Sequence, residues 1–211
     1  MRIDVRGATL RFGPRTIFES FDASFAPGRV TALIGPSGSG KSSLLAAMAG
    51  YLRLRAGTIR GIDDQGRELV VTPSMVAWVP QGVNALGARS ALENVMIGPL
   101  AEGAAPSLAR ARALAALDAV GLGQLSGKLA RQLSGGELQR VSFARALAAD
   151  KPVIFADEPS SSLDAANTER IADLLADLGS RATIVVATHD PLLIEAAQDE
   201  VHLRSETRHA A

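Results

Sequence analysis

A glycine, four residues and then Gly-Lys-Ser make up the stretch "GPSGSGKS", Gly35 to Ser42. Small residues at that spacing let successive backbone N–H groups curl around phosphate oxygens, and the lysine can bridge a β and a γ phosphate. Gly35, Pro36, Ser37, Gly38, Ser39, Gly40, Lys41, Ser42 and Ser43 are therefore the candidate phosphate cradle, with Ser42 placed to ligate Mg²⁺. Lysine is otherwise scarce: Lys41, Lys128 and Lys151 are the only three among 22 basic residues. Further on, "VIFADE" ends an apolar run in Asp157 and Glu158. Asp157 can hold Mg²⁺ through water, and Glu158, one residue on, can serve as general base toward an attacking water. Taken alone, two adjacent acids could also begin a solvated loop; beside a phosphate cradle they supply the second half of a nucleotide site.

The stretch "LSGGELQR", Leu133 to Arg140, poses a separate question. Ser134 and Glu137 stand three apart before a helical stretch, which is the spacing of a reciprocal helix cap. A plain cap has no use for Gly135 and Gly136, each of which costs about 1 kcal/mol of helix propensity. Glycines there expose backbone N–H groups at a positive helix end, so Ser134, Gly135, Gly136 and Glu137 read as a second phosphate-binding surface. A nucleotide lying in the 35–42 loop is already covered on that side. The target left for the second surface is the γ-phosphate of a nucleotide on another molecule.

These residues need elements to position them. The first thirty residues carry Ile3, Val5, Leu10, Phe12, Ile17, Phe18, Phe21 and Phe25, broken at "FGPR" and "APGR", and predict short antiparallel strands. "VTALIG" is an apolar strand entering the glycine loop, and "SSLLAAMAGYL" after it forms helix. "VIFAD" and "TIVVATHD" read as strands buried on both faces, and Ile171, Leu174, Leu175 and Leu178 between them fall on one helix face. Strands alternating with helices imply a parallel sheet. From about Gly82 to Asp150 the chain is rich in alanine and leucine and no strand is evident, so a helical subdomain inserted into an α/β core is expected.

Composition narrows the class. At 211 residues, with 47% apolar and 21% charged residues, the chain suffices for one well-cored unit. Basic and acidic residues balance at 22 each, which gives no net pull toward nucleic acid or an anionic membrane. The absence of cysteine excludes disulfides and thiolate chemistry. Arg2, Asp4 and Arg6 interrupt what a secretory signal would need as an apolar core, and no apolar run approaches the roughly 20 residues that span a bilayer. The expectation is a soluble protein whose membrane role, if any, runs through a partner. The chain ends soon after "VHLRSE", so no fused regulatory domain is expected.

With these motifs in order, the chain resembles the nucleotide-binding subunit of ATP-binding cassette (ABC) transporters over nearly its whole length. "GPSGSGKS" resembles the family's Walker A motif, "LSGGE" its signature, "VIFADE" its Walker B motif, "SSLD" (Ser161 to Asp164) its D-loop, "THD" around His189 its switch histidine, and Gln81 in "WVPQG" its Q-loop. Glu137 stands where glutamine is commonest. The resemblance implies a P-loop NTPase (RecA-like) α/β core with an N-terminal antiparallel β subdomain, residues 1–81 and 151–211, and an inserted α-helical subdomain, residues 82–150, that carries the signature. It implies ATP hydrolysis with Mg²⁺, and two copies of the chain, head to tail, sandwiching two ATP between the Walker A loop of one and the signature of the other. Phe12 would stack on adenine, although other phenylalanines lie nearby in core-like spacing and a core position stays open. Gln81 would contact Mg²⁺ and sense the γ-phosphate, His189 would touch the γ-phosphate and orient Glu158, and Asp164 would cross the dimer interface or cap the helix after it. His202 and His209 match no motif and are expected at the surface. The partner implied is a transmembrane permease, reached by the stretch after Gln81 and placing the protein at the cytoplasmic face of the cell membrane. Alternatives are a membrane partner that relays a signal without transport, or a soluble DNA-associated ATPase of the same superfamily.

Overall fold

The computed structural model describes residues 1–82, 84–161, 163–179 and 182–203. Ser162, in the middle of "SSLD", and His209 lie outside the described residues. β1 (Arg2–Phe12) and β2 (Arg15–Phe25) form an antiparallel hairpin in which Ile3 faces Phe25 and Phe12 faces Arg15. Each strand runs 11 residues, longer than the short strands the sequence suggests. β4 (Ala56–Ile62) joins the other side of β1, and β5 (Glu68–Leu69) completes a sheet of order β2-β1-β4-β5. The backbones of β1 and β4 come so close that a Cβ at Gly57 would lie 2.3 Å from the Gly7 carbonyl oxygen, and Gly57 has φ 83°. No other residue fits there without moving a strand.

The second sheet is all parallel. It contains β3 (Arg29–Ile34), β6 (Val76–Val79), β7 (Val153–Asp157), β8 (Thr183–Ala187) and β9 (Asp199–His202), in the order β6-β7-β8-β3-β9. β7 and β8 are buried at every residue because both faces of the sheet are covered, which is why their sequences run apolar without alternation. Alternate residues serve two cores. Val153, Phe155 and Val185 pack with Ile3, Val5 and Phe25 of the hairpin and with Leu44, Leu45 and Met48 of α1 (Lys41–Met48). Ile154, Ala156, Ile184 and Val186 pack on the opposite side with Ile171, Leu174, Leu175 and Leu178 of α5 (Ala165–Gly179), the predicted helical stripe. Truncating a side chain such as Phe155, which is fully buried, to alanine costs about 3–5 kcal/mol.

Between β6 and β7 lie α2 (Ala91–Ala101), α3 (Pro106–Ala119) and α4 (Gly135–Ala148), with no strand among the described residues of that segment, as expected. Ser90 caps α2 as Ser134 caps α4: each side-chain oxygen accepts from the N–H three residues on, and the glutamate at that position accepts from the serine's own N–H. A short α6 (Pro191–Glu195) follows β8, capped by Asp190.

Candidate functional site

Strand register assembles the site. Leu33 of β3 pairs with Ala187 of β8, Ala187 pairs with Asp157 of β7, and Ala156 of β7 pairs with Val79 of β6. The chain therefore leaves four neighbouring parallel strands at nearly one level, and the next one or two residues of each are Gly35, His189, Glu158 and Gln81. Groups up to 154 positions apart in sequence emerge along one carboxyl edge, the usual crevice of an open α/β sheet.

At that edge the glycine loop takes the shape its composition allows. Gly38 and Gly40 have φ 77° and 99°, and a Cβ on Gly40 would lie 2.4 Å from Ile17 Cγ2. Gly40 precedes α1 without any side-chain cap, and the first turn holds no acid, so the helix presents free N–H groups and its positive end to the loop. Lys41 is 7% exposed; its Nζ donates to the Gly35 carbonyl at 2.9 Å and lies 3.2 Å from Glu158 Oε1. Glu158 has φ 44°, a left-handed conformation that costs a non-glycine residue roughly 1–2 kcal/mol. Its N–H donates to the Ala187 carbonyl at 2.8 Å, and His189 Nδ1 stands 2.8 Å from its other oxygen. Lys41 and Glu158 thus pair across the loop. His189 is 76% exposed and stands beside the outer Glu158 oxygen.

Ser42 Oγ donates to Asp157 Oδ1 at 3.0 Å. Burial pushes the Asp157 carboxyl above the ordinary carboxylate range; the Ser42 hydroxyl opposes that shift, the Glu158 charge adds to it, and Lys41 opposes it. A buried acid whose charge is disfavoured beside a hydroxyl is a hard-oxygen pair that fits Mg²⁺ supplemented by phosphate oxygens and water. Among the described residues no group of three or more His, Cys, Asp or Glu gathers to hold a metal.

A cleft of about 690 Å³ opens over these groups, lined by Phe12, Arg15, Ile17, Gly35 to Ser43, Gln81, Glu158 and His189. Phe12 is 49% exposed there and so lies outside the core that its neighbours Phe18 and Phe25 occupy. Arg15 and Ile17 are not singled out by any motif; the one signal for them is that each continues the hairpin strand opposite Phe12. Asp157 lies beneath the cleft through Ser42. Ser134, Gly135, Gly136 and Glu137 do not line it, among the described residues. Glu137 is held below the usual carboxylate range, chiefly by the Ser134 N–H that its Oε2 accepts at 2.7 Å. A Cβ on Gly136 would lie 3.1 Å from Asn167, whose N–H and side-chain amide both donate to Asp164. The second glycine surface therefore abuts the start of α5, and Asp164 caps that helix. His202 is exposed beside Glu200.

No helix among the described residues is long and apolar enough to cross a membrane. A family model described as "ABC transporter" matches residues 18–161, and one described as "AAA domain, putative AbiEii toxin, Type IV TA system" matches residues 129–195. The chain is 35% identical to the phosphonates import ATP-binding protein PhnC 2 of Rhodopseudomonas palustris, over 95% of this chain and 74% of that protein. It is also 35% identical to the lipoprotein-releasing system ATP-binding protein LolD of Bacteroides fragilis, over 95% of this chain and 97% of that protein. Among solved structures it superposes on the dimeric bacterial ABC transporter cassette MJ0796 with a TM-score of 0.80 at 28% identity, covering 96% of this chain and 94% of that one. The post-hydrolysis dimer of MJ0796 with ADP and Pi matches with a TM-score of 0.80 at 27% identity, covering 97% and 96%. Motif order, sheet order and these likenesses agree: the chain belongs to the ABC transporter family, as one of its ATP-binding, ATP-hydrolysing cassettes.

Proposed function

We propose that two copies of this chain close head to tail around two ATP molecules, each held between the 35–43 loop of one copy and the 134–137 loop of the other, and that this closure drives a separate membrane permease. The observation that carries the reading is the separation of the two phosphate-binding surfaces: one lines the cleft and the other does not. In this reading the loop N–H groups and Lys41 bind the phosphates, and Phe12 packs on the base. Ser42 and Asp157, with Gln81, hold Mg²⁺, which offsets phosphate charge when bound. Glu158 takes a proton from water as that water attacks the γ-phosphorus in line and ADP leaves; His189 holds the Glu158 carboxylate in place. Ser134 and Asp164 act across the interface, so a homodimer has two complete sites. The described residues of 82–150 form the helical subdomain, and those of 1–81 and 151–211 the α/β core with its β subdomain.

A groove of about 430 Å³ lies between them, lined by Tyr51, Trp78, Asn84, Ile97, Arg145 and Lys151 among others. It adjoins the stretch after Gln81 and offers the permease a largely apolar seat, in which Lys151 is paired with Glu102, at the inner face of the membrane. One similar cassette is named for import and another for lipoprotein release.

The chain has no cysteine, which makes the test direct. Ser37 and Gly135 are both exposed. Ser37→Cys with Gly135→Cys, in a Glu158→Gln background and oxidised with ATP, should give a covalent dimer on a denaturing gel and little without ATP. Single chains alone in both lanes would overturn the head-to-tail arrangement.

A further inference from the structure

Arg15 belongs to no motif, yet it lines the cleft that holds the phosphate loop. It pairs directly with Phe12 across the turn at Gly13 and Pro14, and directly opposed residues of a hairpin project from the same face. Ile17, at the register shift of the hairpin, lines the same cleft and fits against the loop at Gly40. Ile17 marks the phosphate end, and Arg15, two residues nearer the hairpin turn and opposite Phe12, stands farther out along the cleft. With Phe12 on the base and the glycine loop on the β- and γ-phosphates, the α-phosphate and ribose fall between them. Arg15 is also a cation in need of an anion. Among the described residues its guanidinium has no hydrogen bond, ion pair or ring contact. Its neighbour Arg11 donates to the Pro14 carbonyl, and Lys41 is held by Glu158 and the Gly35 carbonyl.

We propose that Arg15 is a nucleotide-binding residue, which contacts the α-phosphate and ribose by charge while Phe12 covers the base. The inference rests on the assignment of the cleft to ATP. ADP and ATP share the α-phosphate and ribose, so Arg15 holds both equally and its contribution appears in substrate affinity rather than in the chemical step. The charge is exposed, so salt screens it.

The test is ADP titration of the full chain at about 0.05 M and about 0.5 M salt, with wild type, Arg15→Ala and Arg15→Lys. At low salt Arg15→Ala should weaken ADP roughly three- to tenfold, and Arg15→Lys should restore most of that loss. At high salt the gap should close to about twofold or less. The KM for ATP should rise by the same factor as Kd, with kcat within about twofold. Wild-type affinity in Arg15→Ala at low salt, or a loss that Arg15→Lys shares and salt does not reduce, overturns the proposal. Failure of the ATP assignment looks different: wild type itself would not bind ADP.

Discussion

The starts of α1 and α4 are both glycine-bearing, serine-bearing helix ends, and they solve opposite problems. At α1 the cap position is a left-handed glycine with no side-chain acceptor and no acid in the first turn. Its free N–H groups lie open to an anion, with Lys41 alongside. At α4 the Ser134 side chain and the Glu137 carboxylate satisfy two of the donors from within the chain. An open end is stable only in company, and it faces a cleft that Lys41 and Glu158 also line. A closed end can stand in solvent between encounters, which suits the role proposed for it, meeting the phosphate of a second copy.

The comparison can be broken at several points. The largest effect is expected at the Lys41–Glu158 pair behind α1: Glu158→Gln should lower turnover on the order of 100- to 10,000-fold while ATP still binds, and light scattering should show a trapped dimer. Turnover near wild type would remove Glu158 from the role of base.

Next comes the division of labour between the two ends. Lys41→Ala chains, broken at α1, and Ser134→Arg chains, broken at α4, should each be inactive. If subunits exchange freely at equal amounts, half the dimers are mixed and each mixed dimer holds one intact site, so hydrolysis should recover to about a quarter of wild type. Recovery is incompatible with a signature that acts within its own chain.

The smallest effect concerns stability. Ser134→Ala should cost about 1 kcal/mol, a fall in Tm of about 2–4 °C for a chain of this size. Acid tests the other half of the cap. Glu137 is depressed, so its contribution is full above the ordinary carboxylate value of about 4.3 and is lost as pH falls through the lowered one. Glu137→Gln keeps an acceptor oxygen and should abolish that acid step in a melting series, an effect that α1, with no first-turn acid, cannot show.

Much of this was legible because the signals were local. The glycine loop, the acids closing an apolar strand, the Ser134–Glu137 spacing and the α5 stripe each depend on neighbours within about two helical turns. What escaped the sequence depended on pairing at a distance. β6 is only "VAWV", four residues between Pro73 and Pro80, too short to show a period. β4, "AGTIRGI", carries two glycines and is mostly exposed or half-buried, so it offers little alternation until β1 is laid beside it. Arg15 was invisible for the same reason: its place follows from hairpin register, and register is set by the partner strand.

The two-sided burial of β7 carries one more consequence. Val153 and Phe155 belong to one core, Ile154 and Ala156 to the other, so a slip of one position against β8 would exchange large and small side chains in both cores at once. The penalty blocks intermediate placements, and Glu158, one residue past the strand, inherits that certainty. Alignment of Glu158 with Lys41 over the phosphate loop is then quantised: it is right, or the central sheet has not formed. A gradual loosening of the core should lower the amount of folded protein long before it blurs the position of Glu158. Damaged variants of this chain should therefore survive as smaller populations of fully competent molecules, with an unchanged KM among those that remain folded.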